Sequence, residues 1–246
     1  MKAYKADLHI HTVLSPCGSL DMSPVAIVDK ALEKGLDIIA ITDHNTSLQA
    51  ECIQKIGKQK GLLVITGIEV TSKEEVHCLA YFEEKNQISE FQQYIEQHIP
   101  NIQNNPDYFG YQIQVDENDD IVYQEERLLI SAINQSVEQI SKKVKTLDGL
   151  FILAHIDKSK NSIISQLGFL PPDLEVDALE ITRKGLDSGF LEKNSYLSNN
   201  IFVCNSDAHY IDDIGKSFTH YELDSLSISE LFKVIKTKQK NKIILN

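Results

Sequence analysis

Short runs of apolar residues alternate with stretches of helical periodicity along most of the chain. Seven runs have the length and composition of strands: 4–8, 36–42, 62–66, 76–82, 149–154, 177–182 and 201–205. The run LDIIAIT (36–42) is almost continuously apolar, which is typical of a strand buried on both faces of a parallel sheet. Strands that alternate with helices predict an α/β fold with a mostly parallel sheet, either open or closed into a barrel.

The helix boundaries are marked by residues with known terminal preferences. Ser23, followed by proline, favours the start of a helix, and Gly35 favours its end. A second helix is predicted from about 47 to 60, closed by Gly61, and the last helix from about 228 to 238.

One segment breaks this alternation. Residues from 84 to about 130 are mainly polar, and the part from 111 to 124 reads as a hairpin that turns at Glu117–Asp120. We expect this segment to be an insertion over one end of the sheet, within a single domain that spans 1–246.

Charge and composition narrow the possible partners. The formal net charge is −12, which disfavours a long duplex nucleic acid or an anionic membrane as a general partner. The chain has no apolar run long enough for a membrane span and no apolar signal core near residue 1. Its four cysteines are scattered, which suits reduced thiols and a cytoplasmic location.

Side chains of types that bind metals stand at the ends of the predicted strands or, for His77 and Glu180, within them. They are Asp7, His9, His11, Asp43, His44, Glu69, His77, His155, Glu180, Asp207 and His209. In parallel α/β folds the carboxyl ends of the strands gather on one face, so residues distant in sequence converge there.

Six of the eight histidines occupy such positions; His98 and His220 do not. Packed together without a cation, they would repel one another when protonated and leave nitrogens unpaired when neutral. His9 and His11 are two residues apart, so on a strand they point to the same face and can bind one ion together. Glu69 has two oxygens and can bridge two ions. Imidazole mixed with carboxylate suits zinc, iron or manganese.

Several of these segments resemble the successive motifs of the PHP (polymerase and histidinol phosphatase) family. The matching residues are DLHIHT, ITDHN, the glutamate of GIE, the histidine of VHCL, AHID and NSDAH. They occur in the family's order and extend from residue 7 to residue 209. The DxHxH pattern alone is weak, but the ordered set is highly specific.

The resemblance implies a distorted seven-stranded (β/α) barrel, similar to a TIM barrel, that holds two or three divalent metal ions. By motif position the ligands would be His9, His11, Glu69 and Asp207 for one ion, Glu69, His77 and His155 for the second, and His44 and His209 for the third. Asp7 and Asp43 would orient ligands from behind. Glu180 would either support the site or face solvent.

The opening loop departs from the family pattern. Members with three metals usually supply an aspartate or a histidine there, whereas this chain reads Ser15-Pro16-Cys17-Gly18. Cys17 is near the right place, and a thiolate can bind zinc or iron; the alternative is a loop cysteine that only packs. Asp21 is a weaker substitute.

The resemblance also implies hydrolysis of a phosphate ester by a hydroxide that bridges the metals. Asp207 and His209 are candidates for assisting the leaving group, and Asp43 is a further catalytic candidate. Arg183 is the first choice for gripping the phosphate, since its planar fork can hold two oxygens, and Lys158 is the second. Further candidates near the pocket are Lys160, Lys184, Asn45, Tyr108 and Tyr111.

We therefore expect a metal-dependent phosphoesterase that acts on a small phosphorylated metabolite, a nucleotide or a short oligonucleotide. One alternative is a histidinol-phosphate phosphatase. A second is a metal hydrolase that cuts carbon–nitrogen bonds, and a third is a non-catalytic or regulatory PHP module.

Overall fold

The computed structural model describes all 246 residues and places nine of eleven strands in one sheet. The strands are β1 (Lys2–Ile10), β2 (Ile38–Ile41), β3 (Leu63–Thr71), β4 (His77–Phe82), β5 (Ile113–Val115), β6 (Ile121–Gln124), β7 (Leu150–Leu153), β8 (Ala178–Glu180), β9 (Phe202–Val203), β10 (Thr219–Leu223) and β11 (Ile243–Leu245). The helices are α1 (Pro24–Glu33), α2 (Ala50–Lys60), α3 (Lys85–His98), α4 (Pro106–Phe109), α5 (Val137–Thr146), α6 (Ile163–Leu167), α7 (Arg183–Asp187), α8 (Phe190–Lys193) and α9 (Ile228–Lys236).

The sheet curls into a nearly closed barrel with the order β11-β10-β1-β2-β3-β4-β7-β8-β9. β1, β2 and β3 are parallel to one another, and so are β7, β8 and β9, while β4 runs antiparallel to both of its neighbours. At one rim the segment after β9 reaches β1 directly, since the His11 amide donates to the Ala208 carbonyl at 2.9 Å. This pairing closes the barrel at the rim that carries the histidines.

The strand count exceeds the expected seven. The seven predicted strands correspond to β1, β2, β3, β4, β7, β8 and β9. The two extra strands, β10 and β11, pair antiparallel beside β1 and fill the gap at the opposite rim. A sequence such as THYEL has a weak apolar pattern, and its strand conformation depends on the antiparallel register with β1.

The core is divided by the sheet. Ile38 and Ala40 of β2 pack inside the barrel, and Ile39 and Ile41 pack outside it against α1 and α2. This double burial explains the continuous apolar run predicted for β2. The amphipathic helix α9 closes the interior from below with Leu231 and other apolar residues. None of the helices combines the length and the apolar character that crossing a bilayer requires.

The polar segment from 84 to about 130 has two parts. Its first part, α3, buries Ile88, Phe91 and Ile95 against the outside of the sheet, so it belongs to the helical layer of the barrel. The remainder contains α4 and the β5–β6 hairpin, whose turn lies where the sequence predicts it. The inserted segment therefore begins after α3, later than the expected start at residue 84.

Candidate metal centre

Two histidines at the end of β1 meet at the mouth of the barrel. His9 and His11 are fully buried, and their Nε2 atoms lie 3.3 Å apart. β1 loses its regular register with β2 before Ile10, and Leu8 packs inside the barrel while Ile10 packs outside it. With regular alternation His9 and His11 would face opposite to Leu8. The irregularity reverses the alternation and turns both rings to the mouth.

Hydrogen bonds from behind fix the orientation of both rings. His9 Nδ1 lies 3.0 Å from Glu180 Oε2, and His11 Nδ1 lies 3.0 Å from Ser15 Oγ. The Ser15 hydroxyl donates to Asp43 Oδ1 at 2.6 Å, so its oxygen accepts from His11. We assign the proton of each neutral ring to Nδ1 from these partners, which leaves the Nε2 lone pairs directed into the centre.

Glu69 is the carboxylate that the histidines share. It lies in the second half of β3, and its side chain is 1% exposed. Near Oε1 lie His77 Nδ1 at 2.9 Å, His9 Nε2 at 3.3 Å and His155 Nε2 at 3.3 Å; near Oε2 lie His44 Nδ1 at 3.0 Å and His11 Nε2 at 3.3 Å. A carboxylate with imidazoles on both oxygens is placed to join two ions, as in two-metal hydrolytic sites.

The reversed direction of β4 explains how His77 joins this group. His77 is the first residue of β4 and pairs with Thr71, the last residue of β3. Because β4 is antiparallel to its neighbours, its beginning lies at the rim where they end. The structure places His77 at this rim, beside the other candidate ligands, and β4 is one of the antiparallel strands in a sheet that the sequence predicts to be mostly parallel.

Asp207 and His209 reach the centre from the segment after β9. Asp207 Oδ1 lies 3.3 Å from the Nε2 atoms of both His9 and His11, and its Oδ2 pairs with the Lys158 ammonium. The backbone of Asp207 has a positive φ of 51°, which is uncommon for a residue with a side chain. His209 Nδ1 lies 2.9 Å from the Asp207 carbonyl oxygen, so it donates there and leaves Nε2 free.

The inner histidines favour the charged form. Burial alone would lower the pKa of His9, but Glu180, Asp207 and Glu69 outweigh it and raise this pKa well above its usual value. Burial is also outweighed at His11, where hydrogen bonds to Asp207 and Glu69 raise the pKa to about 9. Without a metal, protons take the place of the cation between these carboxylates.

The pKa values of the two carboxylates, Glu69 and Asp207, are lowered by the same contacts. Burial opposes the charged form of Glu69, but the surrounding histidines, with His77 first, hold its pKa well below the usual range. The pKa of Asp207 is likewise held well below its usual value, since His9 and His11 outweigh the effect of burial. Both remain anionic at neutral pH and are available as ligands.

The outer histidines favour the neutral form. Burial lowers the pKa of His44 well below its usual value, and burial followed by the charge of His11 lowers the pKa of His209 to about 4. His44 Nδ1 and His155 Nδ1 are buried without a hydrogen-bond partner. Buried imidazole nitrogens without a hydrogen-bond partner are costly unless a cation binds them. The donor set therefore fits divalent metal ions.

Three groups of donor atoms lie close enough to hold an ion. Within each group the ligand atoms are no more than 4.8 Å apart: His9, His11 and Glu69; His44, Glu69 and His77; and His11, Cys17, His44 and His209. The structure thus brings together all the residues that the sequence marked as ligands, with Asp207 and His155 at the edges of the first two groups.

The centre opens into a cavity of about 880 Å³ with a basic wall. Lys158, Lys160, Arg183 and Lys184 line this wall, and the Lys158 ammonium touches the metal centre through its pair with Asp207. Arg183 is 55% exposed and pairs with Asp187 on the next turn of α7 at 3.1 Å. The expected phosphate-gripping residues therefore share the cavity with the metal ligands.

Two expected site residues do not reach the cavity. The Asn45 amide is buried and donates to the carbonyls of Leu129 and Ser131, so it anchors the insertion and is not available to a substrate. Asp43 is 1% exposed, and donors occupy both of its oxygens. It positions the opening loop, so a direct catalytic part for Asp43 is not supported.

Other expectations near the pocket are also corrected. Tyr108 and Tyr111 are exposed on the insertion and do not line the cavity. The sequence leaves open whether Glu180 supports the site or faces solvent. Its side chain is 2% exposed and accepts hydrogen bonds from His9, the His155 amide and Asn205, so it supports the site. Ser15 was missed, because a serine in a loop carries no signal of its contact with His11.

A comparison with protein families decides the affiliation. The model of the PHP domain matches residues 7–165, which include seven of the nine expected metal ligands. The chain belongs to the PHP domain family. PHP domains are metal-dependent, and the clustered histidines and carboxylates agree with that property.

Several proteins of known sequence or structure are similar to this chain. The uncharacterized protein MJ1587 of Methanocaldococcus jannaschii is 37% identical over 78 residues, which are 28% of this chain and 46% of the relative. Lesion-specific endonuclease Q of Pyrococcus furiosus superposes with a TM-score of 0.74 and 22% identity, over 96% of this chain and 56% of the endonuclease. A Bifidobacterium adolescentis protein described as a metal-dependent phosphoesterase has a TM-score of 0.56 and 21% identity, over 83% of this chain and 87% of its own.

The two structural neighbours show the PHP fold, a TIM-like barrel. This chain spans about half the length of MJ1587 and of endonuclease Q. Endonuclease Q has been seen with a 27-mer duplex that carries an abasic lesion at the active site. A protein of this fold is thus able to act on duplex DNA, which qualifies the expectation from net charge that long duplexes are excluded.

Proposed function

We propose that this PHP domain is a metal-dependent phosphoesterase that hydrolyses phosphate esters of a small metabolite, a nucleotide or a short oligonucleotide. The observation that carries the proposal is Glu69, one buried carboxylate approached by five imidazoles, at the floor of a cavity with a basic wall. The pairing of a metal centre with cations suits a substrate whose reacting group is anionic.

The candidate ligands divide between two ions that share Glu69. His9, His11, Glu69 and Asp207 would hold one ion, and Glu69, His77 and His155 would hold a second. Bound divalent ions supply Lewis acidity and lower the pKa of water so that it becomes a nucleophile at neutral pH. Zinc, manganese and iron all suit this mixture of imidazole and carboxylate.

The remaining side chains would bind the substrate and move protons. Burial alone would lower the pKa of Lys158, but Asp207 outweighs it and raises this pKa, so the ammonium stays charged and can hold a phosphoryl oxygen. Arg183 can grip two oxygens with its planar fork. His209 lines the cavity, and its Nε2 is available to a leaving group or a metal ion, because its Nδ1 donates to the Asp207 carbonyl.

The cavity volume limits the substrate. About 880 Å³ is within the range of sites for small ligands, about 300–1,000 Å³. This size agrees with a nucleotide or a phosphorylated metabolite. A longer strand would have to leave most of its length outside.

The test is a panel of phosphate esters assayed with purified protein of measured metal content. The panel contains histidinol phosphate, nucleoside mono- and bisphosphates, bis-p-nitrophenyl phosphate, a short oligonucleotide and a duplex with an abasic site. We expect metal-dependent release from small esters or the oligonucleotide, and the same release from a His220→Ala control, since His220 lies outside the cavity.

Each outcome of the panel is informative. Release from monoesters alone selects a phosphatase, and release from histidinol phosphate alone selects that specific activity. Cleavage of the diester or oligonucleotide selects a phosphodiesterase or nuclease. No hydrolysis of any ester with zinc, manganese or iron overturns the proposal and favours a non-catalytic module.

A further inference from the structure

Strand β1 carries an extra residue beside the first metal ligands. Between two regular pairs of the ladder, Leu8 and His9 of β1 together oppose the single residue Ala40 of β2. On the other side of β1, the pairing with β10 ends at Ala6. Leu8 therefore has a paired residue in neither neighbouring strand, and β1 forms a bulge. This bulge is the irregularity that turns both His9 and His11 to the mouth of the barrel.

Two side chains from distant parts of the barrel bind the backbone of Leu8. The Tyr81 hydroxyl donates to the Leu8 carbonyl oxygen at 2.7 Å, and the Leu8 amide donates to Asn205 Oδ1 at 2.9 Å. All three residues are buried. Because buried backbone groups need hydrogen-bond partners, these two side chains stabilise the bulge where no residue of a neighbouring strand is paired with it.

Tyr81 is placed for this contact by β3 and β4. It belongs to the apolar cluster inside the barrel, where a phenylalanine would fill the same space without a polar atom that needs a partner. Tyr81 is paired with Gly67 of β3, and a Cβ atom on Gly67 would lie 2.8 Å from the tyrosine ring. Burial raises the pKa of Tyr81 well above its usual value, so the hydroxyl keeps the proton that it donates. The single polar atom of this side chain is thus directed at the bulge.

Asn205 connects the bulge with the carboxylate behind His9. Its Nδ2 donates to Glu180 Oε1 at 2.7 Å, while its Oδ1 accepts from the Leu8 amide. Glu180 Oε2 in turn lies 3.0 Å from His9 Nδ1. Only one orientation of the Asn205 amide satisfies both contacts, because the Leu8 N–H must donate and the carboxylate must accept. One side chain therefore ties the backbone of β1 to the group that orients the His9 ring.

We propose that Tyr81 and Asn205 are positioning residues that hold the bulge of β1 and thereby set His9 and His11 for metal binding. Neither is a ligand in this arrangement, because the Tyr81 hydroxyl and both polar atoms of Asn205 are already engaged. A set of ligands must be held within about 0.5 Å of the productive geometry, so a loosened bulge weakens binding although every ligand is present. The proposal concerns the centre of the proposed function and rests on that function only where hydrolysis is measured.

The test is the Kd for zinc of variants of the full chain, measured by competition with a chromophoric chelator. Tyr81→Phe deletes the donor to the Leu8 carbonyl, and Asn205→Ala deletes the acceptor of the Leu8 amide. We expect each to raise the Kd by about 10–100-fold, as for other groups that support metal ligands. Tyr221→Phe is the matched control, because Tyr221 is fully buried in the same apolar cluster but its hydroxyl makes no hydrogen bond to β1. Its Kd should stay within about twofold of that of the unmodified protein.

Two further measurements separate positioning from general support of the fold. Thermal melts of the metal-free variants give their Tm, and the Kd is measured well below it, where the chain is folded. A lowered Tm with an unchanged Kd shows a structural part only and overturns the assignment of that residue. The visible d–d absorption of bound cobalt(II) reports ligand geometry, so it should change in Tyr81→Phe and not in Tyr221→Phe; an unchanged spectrum in Tyr81→Phe overturns its assignment. Tyr81→Phe removes a single oxygen atom and keeps the proposal testable if Asn205→Ala does not fold.

The failure of this proposal differs from failure of the proposed function. Unchanged zinc affinity in both variants of a protein that hydrolyses esters overturns the positioning role alone. A raised Kd in both variants of a protein that hydrolyses no ester supports the positioning role and overturns the phosphoesterase proposal. Absence of any bound zinc, manganese or iron in the unmodified protein overturns both.

Discussion

The two walls of the cavity are built in opposite ways. The metal wall consists of buried histidines and carboxylates at strand ends, and its inner rings are fixed by further buried partners. The basic wall consists of exposed side chains on the loop after β7 and on α7, a helix of five residues. The metal wall is therefore set before any ligand arrives, whereas the basic wall can adapt to its ligand.

The energetics of the two walls differ accordingly. A buried charge that loses its partner costs about 3–5 kcal/mol, so the groups of the metal wall depend on one another. The pairing of Arg183 with Asp187, four residues apart on an exposed helix, contributes about 0.3–0.5 kcal/mol. Changes in the metal wall should thus give steep losses, and changes in the basic wall should give graded ones.

The steepest expected loss follows removal of an inner ligand. His9→Ala and Asp207→Ala should each lower kcat/KM by about 10³-fold or more, because the metal ions supply several kcal/mol of transition-state stabilisation. The measurements are ester hydrolysis and metal content, with circular dichroism to confirm that the fold is intact. His220→Ala is the matched control. Full activity in either variant would contradict the assigned ligands.

The next prediction concerns Glu180, which accepts a hydrogen bond from the metal ligand candidate His9. Glu180→Gln keeps an oxygen that can accept from His9 Nδ1 but removes the charge beside it. We expect zinc affinity to fall by about 10–100-fold, the usual cost of changing such a supporting group. Competition with a chromophoric chelator measures the Kd. Unchanged affinity would show that the charge of Glu180 does not tune the metal wall.

The basic wall should respond more weakly. Arg183→Ala should raise KM by about tenfold and leave kcat within about twofold, since a charge-assisted hydrogen bond in a partly exposed site contributes about 1.5 kcal/mol. Steady-state kinetics on the best ester of the panel measures both constants, and Lys142→Ala, on the outer surface of α5, is the control. A drop in kcat with unchanged KM would mean that Arg183 acts together with the metal wall.

The contrast between the walls also explains how much of the site can be predicted from the sequence. The metal wall could be predicted because strand ends must share a rim, so His9, Glu69, His155 and Asp207 converge whatever the details of the loops. Even His77 was placed there, although β4 runs in the opposite direction. The chemistry of imidazole and carboxylate then implies a metal without any knowledge of distances.

What could not be predicted depends on tertiary contacts. Asn45 follows a strand end, as the ligands do, yet its side-chain amide donates to the carbonyls of Leu129 and Ser131. Ser15 gains its role only because the loop folds back on Asp43. No periodicity encodes the irregularity of β1 or its antiparallel pairing with β10, since both arise from neighbouring strands.

The last prediction concerns the pH dependence of the metal-free protein. His11 is fully buried with a pKa raised from 6.5 to about 9. Between these values the folded protein keeps a proton that the unfolded chain has released, so the free energy of unfolding falls as pH rises. His209, with a pKa lowered to about 4, acts in the opposite sense: between pH 4 and 6.5 the unfolded chain binds the extra proton, and stability rises with pH.

The metal-free protein should therefore have its highest Tm near pH 6.5, with a decline towards pH 9. Loading with zinc should remove this decline, because a metal-bound imidazole holds no ligand proton and binding releases protons. Thermal melts from pH 4 to pH 9, with and without zinc, measure both curves, and His11→Asn should flatten the decline while His220→Ala keeps it. A Tm that rises from pH 6.5 to pH 9 without metal would show that protons do not replace the cation in the metal wall.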